Sequence, residues 1–278
     1  MELSWLQSLI MGLFSGLTDV LPVSSQAHQT LLLKFFGVAR LDAMTSLVIR
    51  GASLVTLLVL CRGQIGRIRR QLKVVRLPRR RRNRPVDLAA LMDARILKTA
   101  LLPIVIALLF RGLTVSLGAS LPWIVLASLL NAVILYLPGL FPTADKDSRL
   151  VSPVESMQMG LGAGAVVLPG ISSVGACYSM GILHGIDRGY MIHLALMMHM
   201  MVSAGLAVYD VLELIASGVA IAGGRAAVCY VLAAVSSAVG TVFGYRILNA
   251  AAARKGLTGF SFYSFGVALF TFILYLMV

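Results

Sequence analysis

The sequence predicts an all-α integral membrane protein: six transmembrane helices plus two re-entrant helical hairpins, arranged as an inverted-topology repeat. Three observations carry this expectation. The chain of 278 residues is 59% hydrophobic with only 13% charged residues and a mean hydropathy of +0.91, outside the range of soluble domains. Apolar runs close to 20 residues, the length that crosses a hydrocarbon core, recur along most of it. Two apolar stretches in corresponding places are each broken by proline followed by serines, at Pro22-Val23-Ser24-Ser25 and at Pro169-Gly170-Ile171-Ser172-Ser173.

Taken in order, residues 3–21 are apolar up to the Pro22 break, and 30–38 form a second short apolar piece. Neither is a clean span; together they read as a helix–break–helix hairpin, because proline removes a donor and ends the helix before it. Residues 43–60 make a full span interrupted by Arg50, followed by a basic loop over 62–87. Spans at 96–110 and 122–140 close a first repeat, residues 1–140. A charge-balanced link over 141–152 opens the second repeat, residues 141–278. There the hairpin pattern returns over 154–183, and spans follow at 191–211, 226–246 and 259–278. Hairpin plus three spans, twice, with an odd number of crossings between the hairpins, makes the halves opposite in orientation, and broken helices of such repeats meet near the bilayer midplane.

The charge of +13 is concentrated. Eleven of the 24 basic residues lie between Arg62 and Arg84 with no acid among them, so the remainder carries only +2. A single basic loop without groove-reading or aromatic-rich companions argues against nucleic acid as a partner. It predicts a cytoplasmic segment lying against anionic lipid head groups; Lys146, Arg149, Arg188, Arg254 and Lys255 fall on the same side. The three cysteines, Cys61, Cys177 and Cys229, are scattered and suggest neither a disulfide framework nor a metal site. Met1-Glu2 precedes the first apolar run without a positive segment, so a cleaved signal peptide is not expected.

Polar residues inside such apolar sequence demand a reason, and function is the default one. Asp19, Ser24, Ser25 and His28 fall within ten positions around Pro22. After each proline break a helix start would turn free N–H groups and its positive end toward the protein centre, a ready anion site. Ser24, Ser25, Gly170, Ser172 and Ser173 are the candidates there. His28 lies three residues after Ser25, and a hydroxyl beside an imidazole is the minimal nucleophile–base arrangement. Asp19 is placed to hold a divalent cation or to orient His28 or Thr18. Arg50 needs a partner in its span and is expected to snorkel, pair with Asp19 or hold an anionic ligand. The run 191–201 contains His193, His199 and four methionines, but the histidines, six apart, do not share a helix face. That run reads as flexible packing rather than a metal site.

Gly16-Leu17-Thr18-Asp19 leading into Leu21-Pro22-Val23-Ser24-Ser25 and His28, the span around Gly51, Pro169-Gly170-x-Ser172, Gly175-Ala176, Gly181 to Gly185 with Arg188, and the closing span after Phe260 together resemble the undecaprenyl-diphosphatase family of the bacitracin-resistance type. The resemblance implies a multi-pass protein of the bacterial inner membrane, usually a homodimer, with its site open to the outer face. The implied activity is removal of the terminal phosphate from a polyprenyl diphosphate carrier, which recycles it for cell-wall synthesis. Also implied are a serine nucleophile (here Ser25), a histidine assisting proton transfer (here His28), acids binding a divalent cation such as Mg or Ca (here Asp19), and an arginine clamping phosphate. The substrate-binding set becomes Ser24, Thr18, Arg50, Gly170, Ser172 and Ser173.

The chain departs from the family pattern in three places. Ser15 stands where the first acid is expected and the second is shortened to Asp19. The second motif reads Ser172-Ser173-Val174 where arginine should follow the first serine, and Cys177 lies near an expected threonine. One intramembrane arginine lost and one gained suggests that Arg50 supplies the guanidinium from another helix. The competing expectation is a non-hydrolytic polyprenyl-phosphate carrier or flippase of the same fold; a solute transporter is disfavoured by the shortage of ion-coupling carboxylates.

Overall fold

The computed structural model describes residues 3–77, 85–142, 145–217, 224–254 and 256–277. Helix α1 (Trp5–Val20) starts at a capping box, in which Ser4 accepts from the Gln7 backbone while the Gln7 side chain accepts from that of Ser4. Leu21 to Ser24 break the helix, and Ser24 caps α2 (Ser25–Phe36), which stops at Gly37 in the left-handed region. At 16 and 12 residues, these helices reach only ~24 and ~18 Å at 1.5 Å per residue, short of the ~30 Å core of a bilayer. The second hairpin is built alike. A Ser152–Glu155 capping box starts α8 (Pro153–Gly164), a break runs over 168–172, and Ser172 caps α9 (Ser173–Leu183).

Among the described residues, five helices are long and apolar enough to cross a membrane: α3 (Ala43–Leu60), α7 (Leu121–Tyr136, prolonged by a 3-10 turn to Leu140), α10 (Arg188–Ser217), α11 (Arg225–Arg254) and α12 (Gly259–Met277). A sixth is counted if α5 (Leu88–Leu109) is joined to the segment after its 49° bend, which contains α6 (Arg111–Thr114). The protein is therefore a multi-pass, all-α membrane protein. The fourth span begins earlier than the hydropathy suggests, because Asp87 caps α5 well before the apolar run.

The basic segment differs from the loop expected over 62–87. Arg62–Arg76 form a helix, α4, in which Ile65, Ile68, Leu72 and Val75 recur at helical spacing among the arginines. Arg67 joins α4 to the start of α5 through a two-point ion pair with Asp87, at 2.7 and 3.1 Å. Residues 78–84 of that segment, Lys255 and the side chain of Arg254 lie outside the described residues.

The hairpins are seated crosswise. α1 packs along α11 and α8 along α5, so each hairpin is held by a span distant in sequence; α3 meets α10 and α7 meets α12. Small residues permit the closest of these approaches. A Cβ on Gly12 or Gly16 would lie 2.2 or 2.0 Å from the carbonyl oxygens of Ala233 or Ser237, and one on Gly240 or Gly244 would lie 2.2 or 2.6 Å from those of Leu13 or Leu17. The largest core cluster, including Val20, Val23, Leu57, Ile104, Met159 and Leu196, surrounds the place where the hairpin tips meet.

Candidate functional site

The tips are tied by hydrogen bonds that the two caps make across the pseudo-equivalent breaks. Ser24 Oγ accepts from the Gly170 N–H at 3.1 Å, and Ser172 Oγ donates to the Leu21 carbonyl at 3.3 Å. Asn131 of α7, 1% exposed, holds both: its Nδ2 donates to the Pro22 carbonyl and to Ser264 Oγ, and its Oδ1 accepts from the Ser172 N–H. Trp123 Nε1 donates to the Pro169 carbonyl at 2.9 Å. Gly170 has φ +110° and a Cβ there would stand 2.3 Å from Ala127 Cβ, so this turn tolerates only glycine.

Beside the joined tips lies a small cavity of about 30 Å³, lined from α1, α2, α3, α10 and the second tip. Ser25 sits in it at the first turn of α2. Its hydroxyl donates to the Ser15 carbonyl at 3.3 Å, and Gln29 Nε2 donates to both Ser15 Oγ and Ser25 Oγ. Asp19, one turn after Ser15, accepts from Ser53 Oγ of α3 at 2.5 Å. Its Oδ2 also lies 3.4 Å from His199 Nε2 of α10; the contact is too long and poorly aligned to complete a hydrogen bond, and both ring nitrogens of His199 are without one. Ser173 Oγ and Ser203 Oγ are likewise buried and unpartnered in the cavity wall.

Of the residues expected at the site, Ser25, Asp19, Arg50, Ser172 and Ser173 line this cavity. Thr18, Ser24, Gly170 and His28 do not. Thr18 donates back to the Phe14 carbonyl within its own helix, and Ser24 and Gly170 fasten the tips together. His28 is turned to the opposite side of α2. Its Nδ1 donates to the Ser24 carbonyl and its Nε2 accepts from the Tyr263 hydroxyl, each at 2.7 Å, and it borders an apolar groove with Phe14, Phe35 and Phe270. The structure does not bring His28 to Ser25. Helical spacing of three puts them on neighbouring positions, but the His28 ring is turned toward α12, where it meets Tyr263.

Arg50 does not pair with Asp19. Its Nε donates to Asp210 Oδ2 of α10 at 2.7 Å, with the two side chains 16% and 10% exposed. Among the described residues its terminal guanidinium nitrogens make no hydrogen bond, and it faces the cavity. Asp210 lies 160 positions downstream, so nothing local in sequence joins the two. Arg111, at the bend between α5 and α6, reaches the site's edge by donating to Gln26 Oε1 at 3.3 Å. Gln26, Gln29, Ser46, Ser53, His199 and Ser203 are the lining residues that motif reading missed. One signal was present: His199 and Ser203, four apart, share a face of α10. His199 thus belongs to the cavity and not to packing alone, whereas His193 lies in a separate pocket with Asp93 and Tyr190.

The cavity forms no protein-only cage for a divalent cation. Calcium takes six to eight oxygen ligands, often several carboxylates, whereas magnesium takes six, from one or two carboxylates with waters and substrate phosphates. The cavity offers the single carboxylate of Asp19, already engaged by Ser53 and faced by an imidazole, and among the described residues no three His, Cys, Asp or Glu surround one point.

Helix starts, hydroxyls, amides and a guanidinium line one polar cavity of a multi-pass membrane protein, at the junction of two broken hairpins. The chain belongs to a particular family of such proteins: the family described as bacitracin resistance protein BacA matches it over residues 8–270. Among its relatives, an undecaprenyl-diphosphatase of Rubrobacter xylanophilus is 28% identical over 96% of each chain. One of Carboxydothermus hydrogenoformans is 28% identical over 78% of this chain and 77% of its own length. Undecaprenyl-diphosphatase 1 of Shouchella clausii is 24% identical over 98% of this chain and 96% of its own.

Proposed function

We propose that this protein removes the terminal phosphate of undecaprenyl diphosphate, or a closely similar polyprenyl diphosphate, at the cavity between the hairpin tips. The observation that carries the reading is that Ser25, at the N-terminal turn of α2, faces the same pocket as Asp19, Arg50 and the N-terminal turn of α9 with Ser172 and Ser173. Two helix starts and an arginine concentrate positive potential where a diphosphate would lie, which is the main requirement of phosphoryl transfer. Ser25 Oγ attacks the terminal phosphorus, and the anhydride P–O bond breaks with its electron pair leaving on the lipid monophosphate. Water then attacks the phosphoserine, releasing inorganic phosphate and returning the serine hydroxyl. Arg50 supplies through its free guanidinium nitrogens the clamp that Ser173 cannot, Ser173 standing where the family arginine is expected. The names of the relatives support hydrolysis over the carrier or flippase alternative.

The crosswise seating of the hairpins supports a division near residue 140 into two halves of inverted orientation. With six basic residues on α4 and eleven between Arg62 and Arg84, positive-inside logic puts α4 on the cytoplasmic face of the inner membrane, against anionic lipid. The cavity would then open outward.

The test is phosphate release from undecaprenyl diphosphate by purified protein in lipid nanodiscs. Wild type turns over and Ser25→Ala does not. Arg50→Ala lowers turnover by about 10²-fold, the size of one removed charge-stabilising donor. Equal rates for wild type and Ser25→Ala would remove Ser25 as nucleophile, and unchanged turnover in Arg50→Ala would remove Arg50 as clamp.

A further inference from the structure

We propose that His199 is the proton carrier of this site, working directly on Ser25, with Asp19 as its orienting carboxylate. The inference rests on the phosphatase reading above and adds the group that moves the proton.

A serine hydroxyl attacking phosphorus must lose its proton, and a neutral imidazole is the usual acceptor. Of the two histidines near the tips, His28 is committed at both ring nitrogens, to the Ser24 carbonyl and to the Tyr263 hydroxyl. Acting as base would cost it one of those bonds. His199 is the reverse case: it is 4% exposed, it lines the cavity with Ser25, and neither nitrogen has a hydrogen-bond partner. Buried polar groups are nearly always bonded, so such an orphan needs water or a ligand to complete it. Two further orphans face the same space, Ser203 on the same face of α10 and Ser173 at the start of α9, with 1% and 3% exposure. The cavity that Ser25 lines thus holds a set of unfilled hydrogen-bonding groups with one titratable member, His199.

Asp19 sets the ring. Its Oδ2 lies 3.4 Å from His199 Nε2 and is itself fixed by the Ser53 hydroxyl. A small closure turns that contact into a donated bond, which assigns the proton to Nε2 and leaves Nδ1 as the base. Nucleophile, base and carboxylate then come from α2, α10 and α1, the logic of a serine–histidine–carboxylate triad. In the first step the Ser25 Oγ–H proton passes to His199 Nδ1 as the O–P bond forms and the anhydride bond breaks. The imidazolium, paired with Asp19, gives that proton to the departing lipid monophosphate. In the second step water gives a proton to the same nitrogen as its oxygen joins phosphorus, and His199 returns it to Ser25 Oγ as the phosphoserine bond breaks. The balance is one water in, with phosphate and lipid monophosphate out. The charged groups facing His199 are Asp19 of α1 and Arg50 of α3. α5, α8, α9 and α11, which also pack on α10, place none in the cavity lining.

Phosphate release by the full-length protein in nanodiscs is measured between pH 5 and 9 for wild type, Ser25→Ala, His199→Gln, His199→Ala and His28→Gln, with folding followed by thermal melting. Loss of an acid–base group is worth 10²–10⁴-fold. His199→Gln, near in shape and unable to titrate, therefore loses at least about 10²-fold in kcat with KM within about threefold, and the fall in rate on the acid side of the wild-type profile disappears. Added imidazole restores part of the His199→Ala rate, and His28→Gln keeps the acid limb. The proposal is overturned if His199→Gln retains the rate and profile while Ser25→Ala is dead, in which case the phosphatase reading stands without it. It is overturned equally if His28→Gln rather than His199→Gln abolishes the acid limb, or if the wild-type profile has no such limb. A wild type that releases no phosphate removes the phosphatase reading and this inference together. Should His199→Ala fail to fold, His199→Gln and the wild-type profile still decide.

Discussion

Asn131→Leu tests how the two tips are held in register. The leucine preserves volume and fits a membrane interior, so the perturbation is the loss of three hydrogen bonds: to the Pro22 carbonyl at 3.3 Å, to Ser264 Oγ at 3.0 Å and from the Ser172 N–H at 2.9 Å. At the ~0.6 kcal/mol averaged for such bonds in membrane proteins they sum to about 2 kcal/mol. The Ser172 N–H and Pro22 carbonyl are also left buried without a partner, and each orphaned group costs ~1–3 kcal/mol where nothing replaces the bond. The expected destabilisation is therefore about 2 kcal/mol where other groups replace the bonds, rising to ~4–8 kcal/mol where both orphans stay unpaired. Ser264→Ala, which removes a single bond, costs about 0.6 kcal/mol by the same reckoning. Equilibrium unfolding in mixed micelles reads both, followed by the fluorescence of Trp123, whose indole is bonded to the second tip. If Asn131→Leu unfolds within about 0.5 kcal/mol of wild type, the bonds do not hold the tips and the account of the junction is wrong.

Four further outcomes are expected. Gly16→Val puts a Cβ where the Ser237 carbonyl oxygen would be 2.0 Å away, so it costs ~1–3 kcal/mol by overpacking and lowers phosphate release by displacing Ser15 and Asp19. Gly51→Ala, with open space at its Cβ, is neutral or gains up to ~1 kcal/mol of helix propensity; thermal melting separates the two. Asp210→Asn leaves the Arg50 charge largely buried and without its partner, a loss of ~3–5 kcal/mol, and most of it returns in Arg50→Leu/Asp210→Leu, a double-mutant measurement by unfolding. Cys61, Cys177 and Cys229 are all buried. A maleimide accordingly labels none of them in the folded protein and all three after denaturation, as mass spectrometry would show.

Much of the fold was legible because membrane insertion enforces it. Hydropathy found the five long spans and the bent sixth, and two proline–serine breaks located the tips at Leu21 to Ser24 and 168–172. The basic segment was misread as a loop because its charge hid the four aliphatic residues spaced along α4. Within the site, sequence reading found what sits on the tips, since a broken helix announces itself by proline and capping serines. It missed what faces them from intact spans. His199 and Ser203 occupy ordinary positions in α10, Arg50 meets Asp210 across 160 residues, and no local pattern reports those pairings. His28 failed for a related reason. Spacing fixes which residues are neighbours along a helix, but Tyr263, a residue of α12 far down the chain, decides which way the ring turns.

The crosswise seating of the hairpins has a consequence for how the protein is made. α1 leaves the ribosome roughly 220 residues ahead of α11, on whose glycines it must lie, so for most of translation (~10–40 s at 5–20 residues per second) the first hairpin has no berth. A chain truncated before α11 would keep Ser25 and Asp19 in its sequence yet strand them on a hairpin whose α1 lacks the helix it packs along. The last helices to be synthesised therefore decide whether the first ones ever acquire chemistry.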